Sequence, residues 1–206
     1  MSYFKPKKNI YICGPEIHLP ENIITNEKFI EWMNIRIRPE WIEARTGIRE
    51  RRWVSDDEAC SDIASKAGNK LIKKHNINPE TINQLMIATI SGDHPSPPTA
   101  PLVLPKLGIK EAGVLDLGAA CAGFASALHV CSTMMSSTGG NYLMISADIR
   151  SKFLNQKDFK TAVLFGDAAA AALITHEKKQ ADFKLIASEL GADSSISDII
   201  SIHSGG

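Results

Sequence analysis

Short apolar runs that alternate with helix-like segments are the feature that most restricts how this chain can fold. Leu85–Ile90, Val114–Leu117 and Tyr142–Ser146 are largely apolar along their whole length, as strands in the middle of a covered sheet are. Between them, the stretches Cys60–Ile72 and Phe124–Met135 carry apolar residues at the three- and four-residue spacing of amphipathic helices. The alternation predicts an α/β fold with a largely parallel central sheet.

Capping residues and a proline locate the starts of three helices. Thr25 can cap a short helix that ends at Asn34, and a second short helix, Pro39–Arg45, would begin with proline at its first position. Asp56 or Asp57 can cap the longer helix that contains Cys60. Other strands are predicted from the apolar runs Asn9–Cys13, Ala168–Thr175, Phe183–Leu190 and Ile199–Ile202.

The composition is that of a folded protein, and the sequence disfavours a nucleic-acid-binding, membrane-spanning or secreted protein. The chain has 206 residues, of which 44% are hydrophobic and 22% charged, ordinary values for a globular protein. The 23 Lys and Arg residues equal the 23 Asp and Glu residues, so there is no positive excess for nucleic-acid binding. The apolar stretches are too short to cross a bilayer, and no secretory signal is visible. We therefore predict a cytoplasmic protein that binds neither nucleic acid nor membrane.

One of the four cysteines stands in an unusual context. Cys13, Cys60 and Cys131 are expected to be small buried hydrophobes, and the cysteines lack zinc-site spacing, so no metal site is predicted. Cys121 follows a strand and the small residues Gly118–Ala120, and a helix follows it. This is the layout of a nucleophile elbow, where small neighbours leave the thiol uncovered and the helix amino terminus favours thiolate. The alternative is a core cysteine at a strand–helix junction.

Four segments stand out together by their order and spacing: Trp41–Arg52, Leu85–Pro97, Asp116–Phe124 and Phe165–Ala172. They resemble the corresponding segments of 3-oxoacyl-ACP synthase III, the initiating condensing enzyme of dissociated fatty-acid synthesis (ACP, acyl carrier protein). The resemblance covers nearly the whole chain. It implies a thiolase-like fold of layered αβαβα architecture, of which residues 1–206 form the amino-terminal half-domain, with the carboxy-terminal half absent.

The resemblance implies a two-step acyltransferase reaction. Cys121 would take an acyl group from acyl-CoA, and malonyl-ACP would lose CO2 and attack the acyl-enzyme to give 3-oxoacyl-ACP. By position, Trp41 would stack on the adenine of coenzyme A and Arg45 would contact its phosphates. Phe159 stands where the family has an arginine that sandwiches the adenine, and could still stack there. Coenzyme A thioester is the expected substrate, and no covalently bound cofactor is expected.

The predicted acyl pocket is lined by His94, Ser96 and Phe124. The family has an aromatic residue where Ser96 stands, so we expect a roomier acyl site. His94 lies on the same loop and is a candidate for substrate contact, whereas Asp93 beside it is expected to be a turn residue. The loop near Ser96 would lie close to the interface of a homodimer.

Other departures from the family concern the backbone. Ala168 and Ala170 replace two glycines, which requires a looser turn or one without positive φ. Pro101 is tolerable in the first turn of a helix, but Pro105 predicts that the helix is short or kinked. Six arginines between Arg36 and Arg52 could form a docking patch for the acidic carrier protein, and the alternative is a solvated arginine-rich turn.

The family's catalytic His and Asn lie in its second half, beyond the position of Gly206. None of the six histidines of this chain aligns with that catalytic histidine. His129 is expected to pack inside the protein, and His75 and His176 are expected to be solvated. We therefore expect a fragment or one part of a split enzyme, which forms a homodimer or pairs with a chain that supplies the missing half.

Three hypotheses about function stay open. The first is a condensing acyltransferase of the synthase III type, with Cys121 as nucleophile. The second is a related thiolase-superfamily acyl condensing enzyme, of secondary metabolism, of 3-hydroxy-3-methylglutaryl-CoA synthesis or of head-to-head condensation. The third is a non-catalytic acyl-binding partner subunit, which the absent His and Asn, Ser96 and Phe159 favour and the intact Asp116–Phe124 segment disfavours.

Overall fold

The computed structural model describes residues 2–179 and 181–195, so the predicted strand Ile199–Ile202 lies outside the described residues. The described strands are β1 (Ser2–Phe4), β2 (Ile10–His18), β3 (Asn22–Thr25), β4 (Glu50–Trp53), β5 (Ile82–Ala88), β6 (Gly113–Leu117), β7 (Asn141–Ile149), β8 (Asp167–Thr175), β9 (Phe183–Leu185) and β10 (Ser188–Leu190). The described helices are α1 (Asn26–Met33), α2 (Pro39–Thr46), α3 (Cys60–Lys74), α4 (Ala100–Lys106), α5 (Gly123–Thr138) and α6 (Phe159–Ala162). Short 3₁₀ turns span Pro79–Thr81, Ala120–Ala122 and Ser151–Phe153.

The central sheet has six strands in the order β6-β5-β7-β8-β2-β9. β5 pairs in parallel with both β6 and β7, whereas β8 runs antiparallel to β7 and to β2, and β9 runs antiparallel to β2. The expectation of a largely parallel sheet is therefore wrong for the part from β7 to β9, where all three pairs of neighbouring strands are antiparallel. The chain passes from β7 to β8 through short turns and α6, without a helix that crosses the sheet, so β8 runs back along its neighbour.

Helices cover both faces of this sheet. Along β7, Leu143 and Ile145 belong to the buried cluster that includes the apolar face of α3. Tyr142 and Met144 point the other way and pack in the cluster that includes α5. Burying one such side chain stabilises the fold by about 1.5–3 kcal/mol. The α/β class is confirmed, and β5 and β7 are largely buried, as their apolar composition predicts. The expectation of a covered strand is wrong for Val114–Leu117, because β6 is an edge strand in which Val114 is 37% and Leu115 42% exposed.

The predicted helix boundaries are confirmed for α1 and α2. The Oγ1 of Thr25 accepts a hydrogen bond from the backbone N–H of Lys28 at 3.4 Å, and Asn34, the C-cap residue directly after α1, has a φ of 52°. Pro39 occupies the first turn of α2, and Gly47, the C-cap residue directly after this helix, has a φ of 73°. A short polar side chain such as that of Thr25 caps the start of a helix because it accepts a hydrogen bond from a free backbone N–H. Glycine and asparagine often follow the end of a helix because they adopt the left-handed conformation readily.

The cap of α3 differs from the prediction. The helix begins after Ala59, and neither Asp56 nor Asp57 caps it. Instead, the carboxylate of Asp62 reaches back and accepts a hydrogen bond from the backbone N–H of Ala59 at 2.8 Å.

The proline and alanine substitutions act as expected. α4 contains Pro105 but is only seven residues long, which confirms the short helix. Ala168 and Ala170 lie within β8 and are not among the described residues with positive φ. The chain therefore enters β8 directly after Gly166, and the methyl groups are accommodated in extended backbone.

Candidate functional site

Several connecting segments meet at one edge of the sheet. Because β5, β6 and β7 are parallel neighbours, their carboxyl ends lie at the same edge, where Ala88 is paired with both Leu117 and Ser146. The antiparallel β8 begins there, with Asp167 opposite Ile149. We call this the carboxyl edge. Ligands of α/β proteins bind at such edges because the loops there are free to vary above a fixed scaffold.

Cys121 lies at the carboxyl edge, between β6 and α5. The chain leaves β6 at Leu117, forms the 3₁₀ turn Ala120–Ala122 and enters α5 at Gly123. Ala120 has a φ of 44°, a left-handed conformation that costs a residue with a Cβ on the order of 1–2 kcal/mol. The turn leaves Cys121 exposed. The predicted strand–turn–helix layout is confirmed, and the residue before the cysteine carries the backbone strain.

The other three cysteines are buried, as expected for small core residues. Burial raises the pKa of Cys60 and of Cys131 to about 12, and the pKa of Cys13 is raised by burial and then by Asp182. A protonated, enclosed thiol is a poor nucleophile. Because all four cysteines lie in the described part of the chain, Cys121 is the exposed one among them.

A loop beside the elbow, residues 89–99, follows β5 and is anchored at its start by Asp148 of β7. The Asp148 carboxylate accepts hydrogen bonds from the Ile90 N–H at 2.9 Å and from the hydroxyls of Ser91 at 2.8 Å and Thr89 at 3.2 Å. The Ser91 hydroxyl also accepts from the Ile149 N–H at 2.8 Å. Hydrogen bonds to a charged acceptor are worth about 1.5–3 kcal/mol each, so the start of the loop is firmly placed.

Two further carboxylates hold the rest of loop 89–99. Asp116 of β6 accepts from the backbone N–H groups of Thr99 at 2.6 Å and Ala100 at 2.8 Å, where α4 begins. Asp93 accepts from the N–H of Ser61 at 2.8 Å and from its hydroxyl at 2.7 Å. Asp93 therefore does more than form a turn. Asp116 and Asp148 were not singled out from the sequence, although an aspartate within an apolar strand run is a visible signal.

The predicted pocket residues fall into two environments. Residues 94–98 are all exposed, including His94 and Ser96, and they project from the anchored part of the loop. Phe124 is half-buried in the first turn of α5 and packs against the core cluster that contains Met86 and Ala88.

The three predicted coenzyme A contacts are brought together. The Arg45 guanidinium carbon lies 3.9 Å from the centre of the Trp41 ring, and the rings of Trp41 and Phe159 are 5.6 Å apart at 49°. Trp41 is 39% exposed. A ring inserted between two others needs roughly 7 Å, twice a van der Waals contact. A base between Trp41 and Phe159 would therefore require these rings to separate.

The aromatic region around Trp41 is built on a buried arginine. Arg51 is 7% exposed, its guanidinium lies 4.7 Å from the centre of the Phe29 ring, and it donates to the side chain of Asn26 at 2.9 Å. The suggested six-arginine patch is thus wrong for Arg51, which is a core residue of this region. Arg36, Arg38, Arg45 and Arg49 are exposed, and Arg49 is paired with Glu43 at 2.6 Å.

This region is tied to the carboxyl edge by β8. The indole N–H of Trp53 donates to the Phe165 carbonyl at 3.3 Å, and the N–H of Val54 donates to the Asp167 carboxylate at 2.8 Å. Asp167 is 2% exposed and also accepts from the N–H of Ser151 at 2.8 Å. The aromatic region around Trp41 and the elbow are therefore both fixed to the central sheet.

The histidines give one confirmation and two corrections. His129 is buried and lies 3.0 Å from the Ser188 hydroxyl, as expected for a packed residue. His75 was expected to be solvated, but its side chain is 9% exposed and lies 3.6 Å from the Asp182 carboxylate, because the end of α3 packs against the segment before β9. His176 is half-buried and hydrogen-bonds the Asn9 carbonyl at 2.8 Å. His203 lies outside the described residues.

Residues 2–179 and 181–195 contain neither a cluster of metal-ligating side chains nor a membrane-spanning helix. No group of three or more His, Cys, Asp or Glu side chains is arranged to hold a metal ion. No helix in this part of the chain combines the length and the apolarity needed to cross a membrane.

Comparisons with known proteins agree on one family. Residues 115–194 match the family model for 3-oxoacyl-[acyl-carrier-protein (ACP)] synthase III. The chain is 37% identical over 203 residues to beta-ketoacyl-[acyl-carrier-protein] synthase III of Fusobacterium nucleatum, which covers 97% of the chain and 60% of that protein. It is 39% identical over 163 residues to the acetoacetyl CoA synthase NphT7 of Streptomyces sp. strain CL190, which covers 79% of the chain and 49% of that protein.

A solved structure shows the same fold. The 3-oxoacyl-(acyl carrier protein) synthase III of Pseudomonas aeruginosa aligns with a TM-score of 0.87 at 28% identity, over 97% of this chain and 60% of that one. The predicted thiolase-like fold is confirmed. The chain spans between 49% and 60% of the length of these relatives.

Proposed function

Because the chain belongs to the 3-oxoacyl-ACP synthase III family of condensing acyltransferases, we propose that Cys121 accepts an acyl group from acyl-CoA and passes it to malonyl-ACP. The product would be a 3-oxoacyl-ACP, as at the start of fatty-acid or polyketide synthesis. The observation that carries this proposal is the exposed Cys121 on a strained strand–turn–helix elbow, at the edge of the sheet where loops converge.

The proposed first step is a thioester exchange. The Cys121 thiolate attacks the carbonyl carbon of acyl-CoA, the bond from that carbon to the CoA sulfur breaks, and CoA leaves as the thiolate, which takes a proton from water. The backbone N–H of Cys121 is the proposed donor to the negative oxygen of the tetrahedral intermediate. The position of Cys121 just before α5 supports the step, because the amino terminus of a helix favours negative charge.

The proposed second step forms a carbon–carbon bond. Malonyl-ACP loses CO2, and the resulting carbanion attacks the acyl carbon on Cys121. The bond between that carbon and the Cys121 sulfur breaks, so the product leaves on ACP and the thiolate is regenerated. The family match supports this chemistry for the chain, and its test is the product formed from malonyl-ACP.

We propose that Trp41 and Arg45 bind the CoA moiety and that Phe159 holds Trp41 in place. In this proposal Arg45 leaves the face of Trp41 to contact phosphates, and the freed indole face stacks on the adenine. Phe159 supports the other side of Trp41. The clustering of the three residues supports the assignment, and a guanidinium suits phosphate because of its fork of donors.

Labelling with radioactive acyl-CoA tests the acyl-transfer step. We expect covalent label on the Cys121 peptide, and Cys121→Ala should abolish it, because alanine has no sulfur with which to form the thioester. Cys131→Ala is the matched control, since that cysteine is buried and should keep the label on Cys121. Label that persists in Cys121→Ala, or that is absent from the wild-type chain, would contradict the proposal.

A second candidate is condensation onto a CoA-linked acceptor. It is favoured by the 39% identity to a protein named acetoacetyl CoA synthase. The acyl-enzyme step would be the same, and only the carrier of the malonyl group would differ. Supplying labelled enzyme with malonyl-ACP or malonyl-CoA in parallel, and identifying the 3-oxoacyl product, separates the two.

We also propose that the protein works as a homodimer, as the resemblance to its family implies. Sedimentation equilibrium tests it, and a compact, stable monomer that turns over both substrates would contradict it.

A further inference from the structure

A hydrogen-bonded network of charged and polar side chains lies beneath loop 89–99. The hydroxyl of Ser61, near the start of α3, donates to the Asp93 carboxylate at 2.7 Å. The ammonium group of Lys106, at the end of α4, donates to the same Ser61 hydroxyl at 2.7 Å and to the Asp62 carboxylate at 2.6 Å. Ser61 is 1% exposed. The loop is therefore joined to two helices through one buried hydroxyl.

Each side chain of this network has a hydrogen-bond partner. Asp62 also accepts from the Ala59 N–H at 2.8 Å. Burial alone would raise the pKa of Asp62, but the hydrogen bonds from Lys106 and Ala59 hold the pKa below its ordinary value. The carboxylate therefore stays ionised and keeps its ion pair with Lys106 at neutral pH.

The loop also closes on itself next to Asp93. The Asp93 N–H donates to the Thr99 hydroxyl at 3.3 Å, and Thr99 is 1% exposed. A Cβ on Gly92 would lie 2.5 Å from the Thr99 hydroxyl oxygen, so the beginning and the end of the loop are in tight contact at this point. We call the part of the loop held by these contacts, Gly92, Asp93 and Thr99, the neck, and the exposed residues 94–98 beyond it the tip.

The composition of the tip makes it stiff. Three of its five residues are Pro95, Pro97 and Pro98, and proline fixes φ. A stiff tip on a hydrogen-bonded neck moves as one piece, so a shift at Asp93 is carried to His94 and Ser96. The tip belongs to the same carboxyl edge as Cys121, because β5 and β6 are parallel neighbours.

We propose that Asp93 and Lys106 are positioning residues, which hold the 94–98 tip in place and so set which acyl chains are delivered to Cys121. This inference rests on the proposed acyl transfer. Neither residue is assigned to contact the substrate. Ser61 transmits the effect between them, since its hydroxyl bonds both.

The test compares Asp93→Asn and Lys106→Met with the matched control Lys110→Met. Lys110 also pairs with a carboxylate, Glu80 at 3.5 Å, but it is exposed and lies near the opposite edge of the sheet. Two quantities are measured on each protein. One is amide hydrogen exchange of Ser61 and of the non-proline residues in the range 91–99, and the other is the ratio of Cys121 labelling rates with acetyl-CoA and octanoyl-CoA.

We expect Asp93→Asn to speed exchange at the neck by about tenfold or more, as loss of a hydrogen bond to a charged group does. The acetyl-to-octanoyl ratio should change by at least about fivefold, and Lys106→Met should shift both quantities in the same direction by less. Lys110→Met should change neither.

Two results would overturn the inference while leaving the proposed function intact. One is unchanged exchange in both variants, which would mean that the neck is held without Asp93 and Lys106. The other is faster exchange with an unchanged ratio, or with both labelling rates reduced equally, which is the signature of a purely structural role. A wild-type chain that takes no label from either thioester would instead overturn the proposed function, and the selectivity with it.

Discussion

The elbow at residues 118–123 and the loop at residues 89–99 follow neighbouring parallel strands at the same edge of the sheet, yet they are held in different ways. The elbow consists of glycine, alanine and one cysteine, and its shape is a backbone shape, made by a left-handed Ala120 and a 3₁₀ turn. The loop is held by side chains, through Asp93, Asp116 and Asp148.

The difference follows from what each segment has to expose. Larger neighbours of Cys121 would cover its thiol, so the elbow has small residues and must be shaped by backbone geometry. The loop extends five exposed residues, which cannot bury enough apolar surface to fix themselves. Anchors from elsewhere in the fold offset the entropy of ordering such a segment.

The largest expected difference between the two regions is in thiol reactivity. Cys60, which contacts Thr89 at the start of the loop, has a pKa raised to about 12 by burial. At pH 8 only about one in 10⁴ of its thiols would be ionised. We expect iodoacetamide to modify Cys121 at least about a hundredfold faster than Cys60, as measured by mass spectrometry of peptides. Equal rates in the folded protein would remove the contrast.

The same raised pKa predicts an alkaline loss of stability. Because the pKa of Cys60 in the folded protein lies above the ordinary value of 9.0, the unfolded chain releases this proton first as the pH rises. The contribution of the protonated thiol is complete below pH 9 and is lost between pH 9 and about 12. Urea unfolding of the wild type and Cys60→Ala across this range measures the difference in slope.

Asp148→Ala tests the side-chain anchoring of the loop. The substitution leaves the Ile90 N–H and two hydroxyls without their acceptor, and we expect the free energy of unfolding to fall by about 2–4 kcal/mol. Asp193→Ala is the control, because that exposed carboxylate accepts from the Ser195 N–H in a local turn. A loss equal to that of the control would show that the loop does not depend on Asp148.

A methyl group added to each region sharpens the comparison. In Gly92→Ala the new Cβ would lie 2.5 Å from the Thr99 hydroxyl oxygen, whereas in Gly118→Ala the nearest atom, the Thr89 carbonyl oxygen, is 3.9 Å away. We expect Gly92→Ala to cost about 1–3 kcal/mol and Gly118→Ala to lie within about 1 kcal/mol of the wild type. Chemical denaturation of both variants measures this, and the reverse order would refute it.

The smallest effect is expected from Ala120→Gly. Glycine relieves the cost of a left-handed φ but adds conformational freedom to the unfolded chain. These terms nearly cancel, so the free energy of unfolding should change by less than about 1 kcal/mol. A loss above 2 kcal/mol in urea unfolding would show that the Ala120 methyl group contributes packing as well.

Features set by nearby residues could be predicted from the sequence. The capped ends of α1 and α2 and the small-residue elbow each depend on residues within a few positions of one another. The four motif segments then indicated the family and the thiolase-like fold, which the comparisons confirm. Three residues expected to bind coenzyme A do lie together.

Features set by distant residues were missed. The Asp148–Ile90 hydrogen bond joins residues 58 positions apart, and the Asp93–Ser61 pair is 32 positions apart. Arg51 and His75 were expected at the surface, because composition near a charged residue does not reveal what packs over it. The direction of β8 depends on the path of its connection, which apolar runs alone do not encode.

Separation of the anchors from the 94–98 tip has a practical consequence for protein engineering. The acceptors that hold the loop lie at Asp93, Asp116 and Asp148, outside the five exposed positions. A combinatorial library randomised at 94–98 therefore leaves every one of these acceptors in place. Most of its members should still reach the native fold, so the sequence of the tip can be varied without compensating mutations elsewhere.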